Sequence, residues 1–587
     1  MTAPTGRQDE IAATPMVAFR AQRWHWPRAA LWPHVVLLAL ASAVLVPLAF
    51  LILGSFSTAR IPTQLSWSTI GLANYAAIWL DPQTYRLLLN TAAFVLGATA
   101  LGVALAALLA WLVERTNVPG KAWLYAGIPL TLAVPGLLQA MAWVLLLSPK
   151  SGFVNRALMD WWGLSAAPIN VYSLSGMAFV EGIHLVPTAF LMLVPLLRTM
   201  DPALEEAASI AGASPVSILR RVTVKLMLPG LVAVSIYQTM TALEVFEIPG
   251  VLGMPVGLHV FATKIYAMLQ SATGVPVYGQ ASALGILYLL LGMIAAGLYW
   301  RMVRRSERYT VVSGKAYRPR TVDLGPWRWL ALGIIALYFF LAIVLPFVVM
   351  LYISFVPYLQ QPSLAVLETL TWKHYDFLLS YPKFTETFWN TLTMAALTAT
   401  ATTIASFAIA LVVVRSKFWG RRLVDQLAFM PHAIPGIVAG LAFLWLFLVI
   451  GLFGTILSIV LAFSVTFIAY GSRAMSAAIL QLHRDLEEAA RVAGAAPLRV
   501  MARVFFPLML PAFVGLWIWV VLLAVRIAGL PLVLYEGPRN QVLAVLIWKM
   551  WDDGDIEAVG AIGVLLMVAL FLLALLLRLI GFRRAAA

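Results

Sequence analysis

Long apolar runs constrain this chain more than any other feature. A helix needs about 20 predominantly apolar residues to cross a hydrocarbon core roughly 30 Å thick. Runs of that kind, bounded by charge, Pro or Gly, lie near 31–54, 88–113, 122–148, 174–197, 226–246 and 280–300, then near 328–355, 388–414, 423–450, 454–479, 506–528 and 558–580. With 62% hydrophobic and 11% charged residues, a water-soluble fold is closed to the sequence, since an ordinary soluble domain is about one-quarter charged. The expectation is an all-α integral membrane protein with about 12 spans in two six-helix halves.

The charges set orientation and boundaries. Lys and Arg near spans are retained on the cytoplasmic side, and cytoplasmic termini place about 30 of the 40 Lys and Arg there. Residues 1–30 carry Arg7, Arg20, Arg23 and Arg28 without a cleavage site, so they are expected to be a cytoplasmic tail. A first six-span domain then covers 31–300, a basic cytoplasmic linker 301–327, a second six-span domain 328–580 and a short cytoplasmic tail 581–587. The net charge of +15 is thereby assigned to loops on one membrane face and gives no reason to invoke nucleic acid. There is no cysteine, which excludes disulfides, thiolate metal sites and cysteine nucleophiles. No Ser/His/Asp, HExxH or paired-carboxylate pattern suggests an enzyme.

The halves repeat one another. Asn90-Thr91, Arg115, Gly120 and Pro135-Gly136 recur 300 residues later as Asn390-Thr391, Arg415, Gly420 and Pro435-Gly436. Beyond them the spacing is 282: Glu205-Glu206-Ala207-Ala208, Gly212, Pro215 and Pro229 match Glu487-Glu488-Ala489-Ala490, Gly494, Pro497 and Pro511. The first half therefore holds about 18 extra residues, placed in the external segment NRALMDWWGLSAAPINVYS, with Trp161 and Trp162 at the interface. Both halves face the same way, a parallel repeat.

The most informative residues lie in the loops after the fourth and tenth spans. Asp201 with Pro202 suits a helix start, and Asp485 with Glu488 has the form of a capping box. Each loop should form a short helix ended by a left-handed Gly, Gly212 or Gly494, with Pro215 or Pro497 opening the next. Small Ala side chains let such a helix enter a partner's groove, and the glutamates can meet basic groups there.

The pattern Glu-Ala-Ala, three residues, Gly, with a Pro about 17 residues later, resembles the coupling loop of the membrane subunits of binding-protein-dependent ATP-binding-cassette importers. Each half resembles one permease domain. The resemblance implies that Glu205, Glu206, Ala207, Ala208 and Gly212, with Glu487, Glu488, Ala489, Ala490 and Gly494, link the chain to two copies of an ATPase subunit, in the plasma (inner) membrane of a prokaryote. It also implies an external solute-binding protein. No G-x-x-x-x-G-K-[ST] phosphate-binding loop occurs, so ATP and Mg belong to the separate ATPase and no cofactor is expected on this chain. Residues 242–266 and 534–566 are similar to fused permeases for ferric iron uptake, with relatives for thiamine and aminoethylphosphonate as alternatives. A major-facilitator-type secondary transporter also has twelve spans and a basic central loop, but lacks the duplicated Glu-Ala-Ala loops.

Charges within spans are costly and mark function. Glu244 and Glu247 lie near the outer end of the fifth span and Arg526 in the eleventh, and Glu244 and Arg526 are equivalent at the 282 spacing. The expectation is an ion pair between them across the pathway, with Glu247 nearby. Glu181, Glu244 and Glu247 offer hard oxygen ligands but are too dispersed for a metal site. His184 and His432 are each expected to make a polar contact rather than ligate a metal. Pro129/Pro135 and Pro431/Pro435 should kink or break the third and ninth spans, either as a hinge that transmits loop motion or simply to accommodate a long helix.

Overall fold

The computed structural model describes residues 31–201, 203–270, 276–306, 321–483 and 485–585. The expected tail 1–30, most of the linker, Pro202 and the side chain of Glu487 lie outside the described residues.

Ten described helices have the length and apolarity to cross a membrane. Spans one, two, four, five and six are Trp32–Phe56, Pro82–Arg115, Leu174–Arg198, Pro215–Glu244 and Tyr278–Tyr299. Spans seven, eight, ten, eleven and twelve are Trp327–Phe355, Pro382–Val414, Ile456–Gln481, Met501–Arg526 and Ile556–Leu576.

Spans three and nine are broken rather than tilted. Trp123–Ala133 meets Gly136–Leu147 at 90°, and Arg421–Ala433 meets Gly436–Ile450 at 108°. The cause is local: Pro135 and Pro435 have no N–H to donate and push the preceding residue out of the helical region, so Val134 and Ile434 take ψ of 114° and 112°. The second segments, with 12 and 15 residues, reach only about 18 and 22 Å at 1.5 Å per residue. Even so, the chain must cross between spans two and four. The guanidinium of Arg115, at the end of span two, donates to the carbonyl of Leu197 at the end of span four, 3.0 Å away. These helices therefore run parallel, and the broken element joins opposite faces.

Each half closes over the other's break. Span one packs on span six of its own half and on both parts of span nine. Span seven correspondingly packs on span twelve and on Gly136–Leu147. Trp445, fully buried, lies against Gly54 and donates to Ser282 Oγ at 2.8 Å, joining spans nine, one and six.

Two elements were not foreseen. After span five the chain turns back through Glu247–Val256 and Phe261–Leu269, bent by 71°. The second half repeats this with Gly529–Leu534 and Leu543–Asp552. The recurring Asn-Thr pair secures these elements: Thr91 Oγ1 accepts from the Phe261 N–H at 3.1 Å, and Thr391 Oγ1 from the Leu543 N–H at 2.8 Å. Each satisfies a donor that a helix start leaves without a partner. Short apolar, Pro- and Gly-interrupted stretches gave no sign of this because their length matches neither a span nor a loop.

The extra segment of the first half starts within a helix, Phe153–Trp162, ended by Gly163 at φ 64°. Asn155 anchors it by donating to Leu147, Ser148 and Ile169 carbonyls, and Trp161 and Trp162 are exposed. The end of the linker is also held. Val322 donates to the Arg115 carbonyl at 2.7 Å and Asn117 to that of Val322 at 3.2 Å. Beside them the Gly325 N–H and the Asn117 amide hold the Asp323 carboxyl below its ordinary range.

Candidate functional site

The Glu-Ala-Ala loops fold as helix, Gly turn, helix. The first helix is Ala203–Ile210, whose start is capped by Asp201 accepting from the Ala203 N–H at 2.9 Å. It ends with the Ala213 N–H on the Ala208 carbonyl and the Gly212 N–H on that of Ser209. This is the Schellman arrangement, which needs a left-handed residue, and Gly212 has φ 82°. The second helix, Asp485–Val492, ends likewise at Gly494 with φ 78°. Asp485 departs from the expected capping box: it is the first helical residue, and its carboxylate meets His483 at 3.0 Å. At the 282 spacing His483, not Asp485, is the counterpart of Asp201.

The two glutamates of the first loop divide their work. Glu206 is exposed, whereas Glu205 is buried and ion-paired with Arg115 at 3.3 Å. Its other oxygen accepts from Thr223 at 2.6 Å. Thr223 closes a π-helical turn, Leu219–Thr223, at the base of span five; such turns are rare and concentrate at functional sites. A second one, Met501–Phe505, stands at the equivalent place in span eleven. Arg115 thus binds the carbonyls of Leu197 and Met200, which a helix end leaves unpaired, and the short helix beyond them. Arg415 does the same for Ile479 and Leu482, at 3.1 and 2.6 Å, and lies over the Phe505 ring.

The outward surface of these helices is more apolar than an Ala-and-Glu reading suggests. Leu204 and Ile210, with their counterparts Leu486 and Val492, point outward, Ile210 and Val492 being 88% and 82% exposed. The same exposed apolar pair thus recurs in both copies. The signal was present in the sequence as the same two positions in both copies, but residue type alone drew attention to Ala and Glu.

Between the halves lies a cavity of about 290 Å³ lined by spans four, five, ten and eleven and by both Pro-Gly corners. Glu181, His184, Glu244, Glu247 and Arg526 all line it. The expected Glu244–Arg526 pair is not formed. Each charge instead crosses to the break in the opposite half. Glu244 lies 3.7 Å from His432 Nδ1 in span nine, and Arg526 donates to the Leu132 carbonyl in span three at 3.0 Å. Residues 132 and 432 are themselves equivalent at the 300 spacing, so the contacts are two copies of one arrangement. The break in span three leaves the Leu132 carbonyl free to take Arg526, while Glu244 faces the His432 ring at the break in span nine.

Arg526 also donates to His184 Nε2 at 2.7 Å, and His184 Nδ1 lies 2.8 Å from Gln139 Oε1. A guanidinium has only donors, so Nε2 accepts and the ring proton is on Nδ1, donated to Gln139. His184 is a satisfied polar contact in a neutral ring. His432 sits among the rings of Tyr237 and Tyr470, each with its centroid 5.2 Å away. Glu247 is turned across the interface: its carboxylate accepts from the Ala528 and Gly529 N–H groups at 2.7 and 3.2 Å, at the start of Gly529–Leu534. Sequence reasoning singled out Glu244, Glu247 and Arg526 but missed that the Leu132 carbonyl would be a partner of Arg526, because a backbone carbonyl has no residue signature.

Comparison with known proteins agrees with this architecture. The family of binding-protein-dependent transport system inner membrane components matches residues 98–308 and again 402–585. A ferric transport system permease protein of Actinobacillus pleuropneumoniae is 25% identical over 81% of this chain and 68% of its own length. An Fe(3+)-transport system permease protein of Haemophilus influenzae is 20% identical over 85% of this chain and 90% of its own. A protein of Salmonella typhi named for 2-aminoethylphosphonate transport is 25% identical over 46% of this chain and 90% of its own. Two family domains, the all-helical fold and the multi-pass architecture lead to one conclusion: this chain belongs to the binding-protein-dependent transport system inner membrane components, as a fused two-domain transport subunit of an ATP-binding-cassette importer rather than an enzyme.

Proposed function

We propose that this chain is the membrane pathway of a ferric iron importer, driven by two copies of a separate ATPase and supplied by an external solute-binding protein. The observation that carries the choice of cargo is the set of acid groups lining the cavity. Glu181, Glu244 and Glu247 line it against a single Arg526, and His184 is neutral. A phosphonate would meet three acid groups there and one guanidinium that already gives its hydrogen bonds to Leu132 and His184, whereas ferric iron is a hard cation suited to oxygen donors.

In this reading both termini, the linker and the Glu-Ala-Ala loops are cytoplasmic, and the domains follow residues 31–300 and 328–580. Glu206, Ala207, Ala208, Gly212, Glu488, Ala489, Ala490 and Gly494, with the exposed Leu204, Ile210, Leu486 and Val492, form the ATPase-facing surface; Glu205, and by the repeat Glu487, tie it to the spans. Closure of the ATPases moves both loops, which rocks the halves from inward-facing to outward-facing about their broken spans. The loaded binding protein then discharges into the cavity.

Inside-out and right-side-out vesicles containing the full complex provide the test. Uptake of radioactive Fe(III) delivered by the binding protein should require ATP and stop with vanadate, and excess 2-aminoethylphosphonate or thiamine should not compete. Uptake that persists without ATP and collapses with the proton gradient would reject the ATP-driven reading. ATP-driven uptake of the phosphonate or of thiamine, without iron, would reject the cargo.

A further inference from the structure

Glu181 stands apart from the other charges of the cavity. It is fully buried in span four and lines the space between the halves. Neither carboxylate oxygen has a hydrogen-bond partner among the described residues. The neighbouring donors give their hydrogen bonds elsewhere, Arg526 to Leu132 and His184 and the Ala528 and Gly529 amides to Glu247, so Arg526 reaches Glu181 only through its charge. Burying a carboxyl group without a hydrogen bond is costly.

The fold does not require that cost. At the 282 spacing the counterpart of Glu181 is Phe463, also buried, stacked on Phe467 with ring centroids 5.1 Å apart. The same position is thus filled by an ordinary apolar side chain in one half and by an acid without a hydrogen bond in the other. The cavity is roomy enough for a hydrated ion, since a water occupies about 30 Å³ and the space is about 290 Å³. No group of three His, Asp or Glu able to hold a metal exists among the described residues.

We propose that Glu181 is the residue of the cavity that contacts the cargo directly, as a single-carboxylate transit site for a hard, multivalent cation. One carboxylate with the rest of the coordination shell left to water binds weakly enough to release, which a cage of several ligands does not. The proposal rests on the reading of the cavity as the transport pathway and adds the residue and the class of ligand.

Two measurements separate this from the iron reading. In nanodiscs, Tb(III) is a hard trivalent probe whose emission would be sensitised by Tyr237, Tyr470 and Trp519 on the cavity wall. Wild-type chain should show a saturable Tb(III) component displaced by Ga(III), and Glu181→Gln should weaken it by about tenfold, roughly 1.4 kcal/mol. Glu181→Asp should keep most of it. No such component in the wild type, or one unchanged in Glu181→Gln, overturns the proposal. In the full complex, Glu181→Gln should lower Fe(III) uptake about tenfold while ATP hydrolysis in response to loaded binding protein persists. Wild-type complex that binds Tb(III) through Glu181 yet imports no iron would reject the iron reading alone.

Discussion

Replacing Arg115 by Ala is expected to lower transport by about 100-fold or more while the chain still inserts and elutes as a single species. Arg115 is 1% exposed, ion-paired with Glu205 and bonded to the Leu197 and Met200 carbonyls. Removing one partner of a buried pair costs about 3–5 kcal/mol, because the charge left behind has no compensation. Each 1.4 kcal/mol is a factor of ten in an equilibrium, so the helix Ala203–Ile210 would seldom be docked beneath the spans. The readout is vesicle uptake beside ATP hydrolysis: hydrolysis should continue but no longer respond to the binding protein. Arg115→Lys should recover little, since an ammonium cannot reach carbonyls and carboxylate together as the guanidinium fork does. Glu205→Gln should be milder, because the amide oxygen can still accept from Thr223. Uptake within about twofold of wild type in Arg115→Ala would contradict a fastening role, since a loss of 3–5 kcal/mol could not leave it so.

The second large effect is expected at Arg526. Arg526→Glu should reduce uptake more than tenfold, and adding Glu244→Arg should not restore it. The reason is the geometry: Arg526 serves a backbone carbonyl and an imidazole nitrogen that can only accept, and a carboxylate placed there has nothing to donate. Leaving such groups unanswered in the interior costs about 1–3 kcal/mol each. A direct Glu244–Arg526 pair would instead survive the exchange of its charges, so recovery of uptake in the double variant would restore that pairing. Arg526→Lys should retain part of the activity, as one donor can still reach the Leu132 carbonyl.

Much of this was legible in the sequence because the controlling signals are strong and duplicated. Twelve apolar runs, the Pro-Gly corners and the left-handed Gly212 and Gly494 are each set by local physics, and the second copy removes accident. Asn90-Thr91 and Arg115 were visible as repeats without a role; the structure supplies one, as caps on Phe261 and on the end of span four. What the sequence concealed was tertiary. Equivalent positions 244 and 526 invite the idea of a pair across a twofold axis, yet equivalence fixes only that their surroundings match. Each then finds the break of the opposite half. The re-entrant segments Glu247–Leu269 and Gly529–Asp552 were hidden because apolar stretches of this length have no distinctive period. Glu181 was visible only as one of three dispersed oxygen donors; the structure showed that it is buried and that no described residue donates a hydrogen bond to it.

The absence of cysteine makes the central claim directly measurable. Arg220 and Ala502 are exposed equivalent positions in the two π-helical turns behind the Glu-Ala-Ala helices. With Arg220→Cys and Ala502→Cys spin-labelled in the full complex, the distance between the labels reports the two loops together. Trapping the ATPases with ATP and vanadate should shorten it relative to the nucleotide-free state, and washing out nucleotide should restore it. An unchanged distance distribution, in a complex whose ATPases are demonstrably trapped, would contradict transmission of ATP-driven motion through these loops.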